Sequence, residues 1–257
     1  MNNSKIAIIG DGVFTEFVLS TSLKQVDSNT SKFIVFSENQ NRLNELRESH
    51  NINTTIDPKN LADASIVLLA LQSRDAEKIV PKIKNEISSS AMVMSVVDHW
   101  KISRLEEIFP TQAVVRAEVT PAIINADGVI TYVTGSKQAV DSDIFIQMIF
   151  SRLGKIFRAE SEEEFERIGN VFLAATVASN QVIKSMIRGA INAGLSSERA
   201  KKIIAQIIRG EIGIETQPDE IVAELREKAF RGRNMTVFLE EGISLIHEYG
   251  MWNFLRN

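Results

Sequence analysis

The most constraining feature of this sequence is its opening run, residues 5–15, which reads KIAIIGDGVFT. An apolar stretch of strand length leads into two glycines and then into the apolar spacing of a helix. A dinucleotide-binding βαβ unit begins in this way. Gly10 would permit the tight turn, and Gly12 would let the backbone approach a pyrophosphate at the positive end of the following helix.

The run keeps only two of the three glycines of the G-x-G-x-x-G pattern, because Thr15 stands at the third position. Helix and strand should therefore pack less closely there than in the ideal motif. A plain strand-turn-helix without a ligand is the alternative, and the α/β alternation that follows favours the nucleotide site. The cofactor-binding residues predicted in this turn are Gly10, Asp11, Gly12, Val13 and Phe14.

The end of the second strand, residues 32–36, is where a dinucleotide's adenosine ribose is bound. A carboxylate at this place favours the free 2′-hydroxyl of NAD, whereas a small hydroxyl residue with a nearby arginine favours the 2′-phosphate of NADP. Glu38 supports the first, and Ser37, Asn39 and Arg42 could receive a phosphate. A solvated turn that binds neither is the remaining interpretation.

Composition excludes several classes of protein. The 257 residues include no cysteine, which excludes disulfides and thiolate catalysis and fits a reducing cytoplasm. The net charge of −4 comes from intermixed acidic and basic residues, so no nucleic-acid partner is expected. No apolar run approaches the length of a membrane span, and no signal peptide is evident. We expect a soluble cytoplasmic protein with a small-molecule substrate.

The pattern changes near residue 155. Before it, apolar runs of strand length alternate with helical patterns, and such runs are typical of a parallel sheet covered on both faces. After it only helical signals are evident: Ser161 begins a capping box, Gly194 can end a long helix, and Ser197 can cap another. The predicted fold class is α/β, with a Rossmann-type dinucleotide-binding domain over 1–155 and an all-helical dimerisation and substrate domain over 156–257. The helical half carries more apolar residues than one layer can bury, so we expect a homodimer.

Several motifs along nearly the whole chain carry a resemblance to a known family. They are the glycine turn, IVLLALQ at 66–72, VVRAEVTPA at 114–122, GVITY at 128–132, and the helical residues 187–200. With these the chain resembles the pyrroline-5-carboxylate reductases, which make proline by hydride transfer from NAD(P)H to a cyclic imine. The resemblance implies NADP, with NAD as the other possibility, and cofactor contacts from Ala70, Leu71, Gln72, Thr120 and Pro121.

Departures from the family fall on the substrate half of the site. Gln72 and Ser73 replace a Lys-Pro pair, the Pro-Asn pair before Thr120 is missing, and residues 172–176 replace a glycine-rich entry to the long helix. Residues 231–236, RGRNMT, stand where the family has a loop that grips the imine and its carboxylate. The resemblance implies that Thr236 is the catalytic threonine of that loop.

The remaining candidates each have a simpler alternative. Arg231 and Arg233 could bind a substrate carboxylate or be solvated cations. Glu118 could donate a proton if burial raised its pKa, or be an exposed carboxylate at a strand end. Lys184 lies where the family tends to place an acidic residue. The reversed charge would alter which substrate is tolerated. We find no convincing metal-ligand spacing.

Three functions fit these observations. The first is an NAD(P)H-dependent reductase of a C=N bond in proline biosynthesis or on a related small substrate. The second is a cofactor-binding paralogue without catalysis, acting as a sensor or assembly partner. The third is a 3-hydroxyacid dehydrogenase, which would require Lys184 as its catalytic lysine.

Overall fold

The structure is a computed structural model that describes residues 5–23, 30–137 and 142–214. The chain divides into two compact units, Met1–Asn170 and Val171–Asn257. The cleft and strand ends considered below belong to the first unit.

The first unit is built on a sheet of eight strands among the described residues, in the spatial order β3-β2-β1-β4-β5-β6-β7-β8. Neighbouring strands run parallel except β6 and β7, which are antiparallel. The strands are β1 (Lys5–Ile9), β2 (Phe33–Phe36), β3 (Asn53–Thr55), β4 (Ala64–Leu69), β5 (Met92–Ser95), β6 (Ala113–Val119), β7 (Gly128–Thr134) and β8 (Gly154–Arg158).

Helices connect the strands and extend into the second unit. They are α1 (Val13–Ser22), α2 (Gln40–His50), α3 (Ser73–Ile83), α4 (Ile102–Ile108), α5 (Ser142–Phe150), α6 (Glu162–Asn192) and α7 (Ser197–Ile214). Short 3-10 turns occupy Thr30–Lys32, Pro58–Leu61, Lys84–Glu86 and Pro121–Asn125. None of the helices in the described part of the chain combines the length and apolar character that crossing a membrane requires.

Apolar side chains cover both faces of the sheet. Along β1, Ile6 and Ile8 belong to one core cluster, which includes residues of α1 and α5, while Ala7 and Ile9 belong to another, which includes residues of α3. Successive strand residues point to opposite faces, so a strand buried on both sides must be apolar throughout. Each fully buried large aliphatic side chain contributes about 1.5–3 kcal/mol. The predicted two-sided sheet is confirmed.

Strand β8 departs from the expectation of helices alone after residue 155. It pairs in parallel with β7, from Gly128 opposite Gly154 to Tyr132 opposite Arg158. As an edge strand it exposes Lys155, Phe157 and Arg158, so its sequence lacks the uniform apolar character of the central strands. The strand signal is weak for that reason.

The predicted ends of the long helix are confirmed, and the start of the next needs a correction. Ser161 Oγ accepts a hydrogen bond from Glu164 N at 3.2 Å, and α6 ends at Asn192 before Gly194 with φ 95°. Ser196 rather than Ser197 caps α7, because Ser196 Oγ accepts from Arg199 N at 3.4 Å. Ser197 is the first residue of the helix.

Candidate functional site

The candidate site lies at the topological switch point of the sheet, where the strand order reverses on the two sides of β1. Strand β1 has β2 on one side and β4 on the other, and the chain leaves the carboxyl ends of all three at the same edge. At that edge Gly10 N donates to Phe36 O and Ala70 N donates to Ile9 O, both at 2.9 Å. Parallel α/β sheets bind ligands in the crevice at such a switch point.

The two glycines of the turn have different surroundings. Gly10 has φ +119°, and a Cβ placed on it would lie 2.3 Å from Ala70 O. Only glycine therefore fits between the turn and the end of β4. Gly12 precedes α1 with φ −77°, and a Cβ on it would meet no atom within 4 Å. The space in front of the helix is thus open to a ligand.

Thr15, at the third glycine position, is fully buried. Its Oγ1 donates to Gly10 O at 2.9 Å. The hydroxyl is therefore satisfied inside the turn, and it ties the first turn of α1 back to the end of β1.

A cleft of about 600 Å³ opens beside this turn. It brings together the predicted residues Gly10, Asp11, Ser37, Glu38, Asn39 and Leu71, and it adds Gln40, Asn41, Asp75 and Ile79. Asp75 and Ile79 belong to α3 and were not predicted. Their signal was available, because the helix that follows β4 begins at the same edge of the sheet. The predicted residues in this part of the chain end at Gln72, one residue before α3.

Hydrogen bonds already engage the predicted ribose-binding side chains. Ser37 Oγ donates to Asp11 Oδ2 at 2.8 Å and accepts from Asn39 N at 3.0 Å. Asn39 Oδ1 accepts from Arg42 N at 3.2 Å and caps α2. Glu38 forms an ion pair with Lys82 of α3.

Arg42 does not line the cleft. Its guanidinium pairs with Glu16 Oε1 at 2.7 Å and Glu45 Oε2 at 2.6 Å, and its Nε donates to Asp11 O at 3.1 Å. The hydrogen bonds to Glu45 and Glu16 raise the pKa of Arg42 above its ordinary value. The arginine holds α1, α2 and the glycine turn together.

The other predicted cofactor residues of the turn and of the end of β4 do not line the cleft. Val13 is 64% exposed at the start of α1, whereas the Phe14 ring packs 6.4 Å from the Phe150 ring, so only its backbone remains at the turn. Ala70 and Gln72 follow β4, and Gln72 precedes α3.

Thr120 and Pro121 lie at the carboxyl end of β6, where the chain turns into β7. Thr120 Oγ1 accepts from Val129 N at 2.9 Å, and Thr120 N donates to Val129 O at 3.0 Å. These bonds fix the turn that leads to the short helix at Pro121–Asn125. Since β6 is parallel to β5, this turn lies at the same edge of the sheet as the end of β5.

Glu118 lies near that turn, at the end of β6. Glu118 is an exposed residue at this strand end. Partial desolvation of its carboxyl raises the pKa, Arg116 opposes this increase, and the negative charges of Asp98 and Glu166 add to it. A Cβ on Gly169 of α6 would lie 2.7 Å from Glu118 Oε2, so the carboxylate packs directly against that glycine. Nearby His99 adopts a left-handed φ of 64°, and Ser73 Oγ donates to the neighbouring Asp98 O at 2.5 Å.

The substrate half of the prediction stays untested. Thr236, Arg231 and Arg233 lie outside the described residues. Lys184 is an exposed residue of α6 in the second unit. Within the described ranges, no group of three His, Asp or Glu side chains gathers as it would around a metal ion.

Comparisons with known proteins agree with this geometry. Residues 5–99 match a family described as NADP oxidoreductase coenzyme F420-dependent. A pyrroline-5-carboxylate reductase from Synechocystis sp. is 21% identical over 249 residues, which span 96% of this chain and 91% of the relative. The match therefore extends well beyond the nucleotide-binding half.

Two solved structures share the fold. A pyrroline-5-carboxylate reductase from Coxiella burnetii has a TM-score of 0.79 at 18% identity, covering 98% of this chain and 93% of the other. The Plasmodium falciparum pyrroline carboxylate reductase, solved with NADP bound, has a TM-score of 0.77 at 19% identity, covering 98% and 94%. The predicted fold class and the predicted family resemblance are both confirmed.

Proposed function

We propose that this chain, a divergent relative of the pyrroline-5-carboxylate reductases, is a reductase that uses a nicotinamide dinucleotide. The observation that carries the proposal is the open space at Gly12, in front of α1 and beside the cleft at the switch point of the sheet. The family match over residues 5–99 and the relative matched over most of the chain support it.

The turn supplies what a pyrophosphate needs. The first N–H groups of a helix have no partner within the helix, and they carry the positive end of its dipole. No side-chain hydrogen bond caps α1, and Gly12 presents no side chain to block the approach. The N–H groups at the start of α1 would bind the pyrophosphate, and the cleft next to Glu38 would hold the adenosine ribose.

The reactive end of the nucleotide would lie near Thr120 and Pro121, at the ends of β5 and β6. When bound, the dihydronicotinamide would supply a hydride to a C=N carbon. Glu118 would donate the proton that the nitrogen acquires, because its raised pKa keeps more of the carboxyl protonated. Thr236, Arg231 and Arg233 remain the predicted contacts to the substrate, with pyrroline-5-carboxylate or a related small imine as the substrate class.

We also propose that the protein works as a homodimer. Among the described residues, α6 and α7 carry apolar side chains that are at least 39% exposed, including Leu173, Met186, Ile203 and Ile207. Apolar faces of this kind are typical of surfaces that a second subunit covers.

Titration of the purified protein with NADH and NADPH, followed by turnover assays on pyrroline-5-carboxylate, tests the proposal. We expect binding of a nicotinamide dinucleotide and its loss in Gly12→Val, which places a side chain where the pyrophosphate belongs. Gly210→Val on α7 is the matched control, because a Cβ there also meets no atom within 4 Å. Failure of the unmutated protein to bind either nucleotide would overturn the proposal, and tight binding without turnover would support the non-catalytic paralogue instead.

A further inference from the structure

We propose that the cleft selects NADH over NADPH, with Glu38 and Asp11 as the residues that determine this specificity. The inference rests on the proposed function, since it concerns which nucleotide the same cleft accepts. NADPH differs from NADH by a phosphate on the adenosine ribose, which would lie at the end of β2.

The charge of the cleft opposes a phosphate. Three of its lining residues, Asp11, Glu38 and Asp75, are acidic, and none of the described residues that line it is basic. A phosphomonoester carries about −1.5 to −2 charges at neutral pH. Bringing it beside these carboxylates adds like-charge repulsion, whereas a ribose hydroxyl can donate a hydrogen bond to one of them.

Arg42, the cation predicted to receive a phosphate, already has other partners. All three guanidinium nitrogens of Arg42 are engaged, by Asp11 O, Glu16 and Glu45. Two carboxylates on one guanidinium leave a net negative charge around it. Turning Arg42 toward a 2′-phosphate would break these bonds and leave both glutamates without their partner.

The hydroxyl that could have received a phosphate is also committed. Ser37 is buried, and its proton goes to Asp11 Oδ2 while its oxygen accepts from Asn39 N. The remaining N–H groups at the start of α2 can serve a hydroxyl as well as a phosphate. The carboxylates of Glu38 and Asp11 are therefore the groups that would distinguish NADH from NADPH.

Lys82 provides a test of the role of Glu38 in nucleotide selectivity. Its ammonium forms an ion pair with Glu38, which lines the cleft, and both side chains are 54% exposed. Removing the Glu38 charge would free a lysine for the 2′-phosphate and take away one repelling carboxylate. One substitution should then reverse the preference.

The experiment measures dissociation constants of NADH and NADPH for the unmutated protein and four variants by calorimetry at fixed ionic strength. We expect the unmutated protein to bind NADH at least about tenfold more tightly, as like-charge repulsion near a protein surface predicts. Glu38→Gln should tighten NADPH binding at least about tenfold, and the double variant Glu38→Gln/Lys82→Gln should lose that gain. Glu77→Gln is the matched control, because Glu77 forms an exposed ion pair from α3 with Arg104 and does not line the cleft.

The outcomes separate the two proposals. Equal or tighter binding of NADPH by the unmutated protein would overturn the selectivity and leave the reductase proposal standing. A selective loss of NADPH affinity in Arg42→Ala would overturn it as well, because it would assign the 2′-phosphate to Arg42. Binding of neither nucleotide would overturn the reductase proposal itself.

Discussion

Gly10 and Gly12 lie two positions apart, and one is needed for folding whereas the other is needed for the proposed binding. Gly10 is required by the protein, because its positive φ and its contact with Ala70 O leave no room for a side chain. Gly12 is required by the proposed ligand alone, since no protein atom lies close to it. The glycine motif therefore combines a structural residue with a binding residue.

Substitution of each glycine by alanine should show this difference. Gly10→Ala should lower the free energy of unfolding by about 1–3 kcal/mol or more, from backbone strain and the clash. Gly12→Ala should leave the melting temperature nearly unchanged and weaken nucleotide binding. Thermal unfolding and calorimetry measure the two effects. An unfolding loss of the same size in both variants would contradict the assignment.

Glu118 should give the protein a pH-dependent stability. The pKa of Glu118 is raised in the folded state, chiefly by partial desolvation of its carboxyl, so the folded state binds the proton more tightly than the unfolded chain does. Because the residue is exposed, solvent screening keeps this effect small. The stability this contributes is present below the unfolded pKa and is lost as the pH rises through the folded pKa. Glu118→Gln should therefore raise the melting temperature more at pH 8 than at pH 4.

The same substitution should reduce turnover, because an amide cannot replace the proton donor. Gly169→Ala keeps the Glu118 side chain but places a methyl group against its carboxylate. We expect this substitution to reduce turnover by displacing the carboxyl. Equal turnover in Glu118→Gln and the unmutated protein would remove Glu118 from the proposed chemistry.

At the scale of elements, one buried arginine joins β6 to the start of α6. Arg116 pairs with Glu162 Oε1 at 2.9 Å and Glu166 Oε1 at 2.6 Å, and its guanidinium lies 4.5 Å from the centre of the Phe165 ring. Glu162 Oε1 also accepts from Ile102 N at 2.8 Å, at the start of α4. A single oxygen of Glu162 therefore accepts hydrogen bonds from both β6 and α4.

Arg116→Ala should lower the free energy of unfolding by about 2–3 kcal/mol, below the full cost of breaking a buried pair because both glutamates reach solvent. Lys202→Ala is the control, since its exposed pair with Glu198 should be worth about 0.5 kcal/mol or less. Denaturant unfolding measures both. A loss below 1 kcal/mol in Arg116→Ala would show that the cluster adds little.

Sequence reasoning succeeds for elements whose signal is local. Strands β1, β2, β4 and β5 are buried on both faces and appear in the sequence as apolar runs. Ser161 in the sequence likewise indicates the cap of α6. It fails for β8, an edge strand with charged residues. It also could not foresee that Arg42 would be held by Glu16 and Glu45, because Glu16 and Arg42 meet only when α1 and α2 pack side by side. The family resemblance favoured NADP, whereas the contacts of this cleft led us to propose NADH.

At the scale of the whole molecule, the proposed dimer makes the apolar faces of α6 and α7 part of an interface. Ile207→Glu should give monomers at micromolar concentration, because an unpaired charge would enter that interface. Lys201→Glu is the control on the same helix, as an exposed charged residue. Sedimentation velocity measures the mass, and a monomeric unmutated protein would contradict the prediction.

A turn held closed by the bond from Thr15 Oγ1 to Gly10 O needs little ordering when a ligand arrives. Binding to a preformed site loses less conformational entropy than binding that must first order a loop. Such a site can capture its ligand on nearly every well-oriented encounter, so differences in affinity would arise mainly from how long the complex lasts. In this protein the residence time of the nucleotide, rather than its rate of capture, would then be the quantity that evolution could adjust at the rim of the cleft.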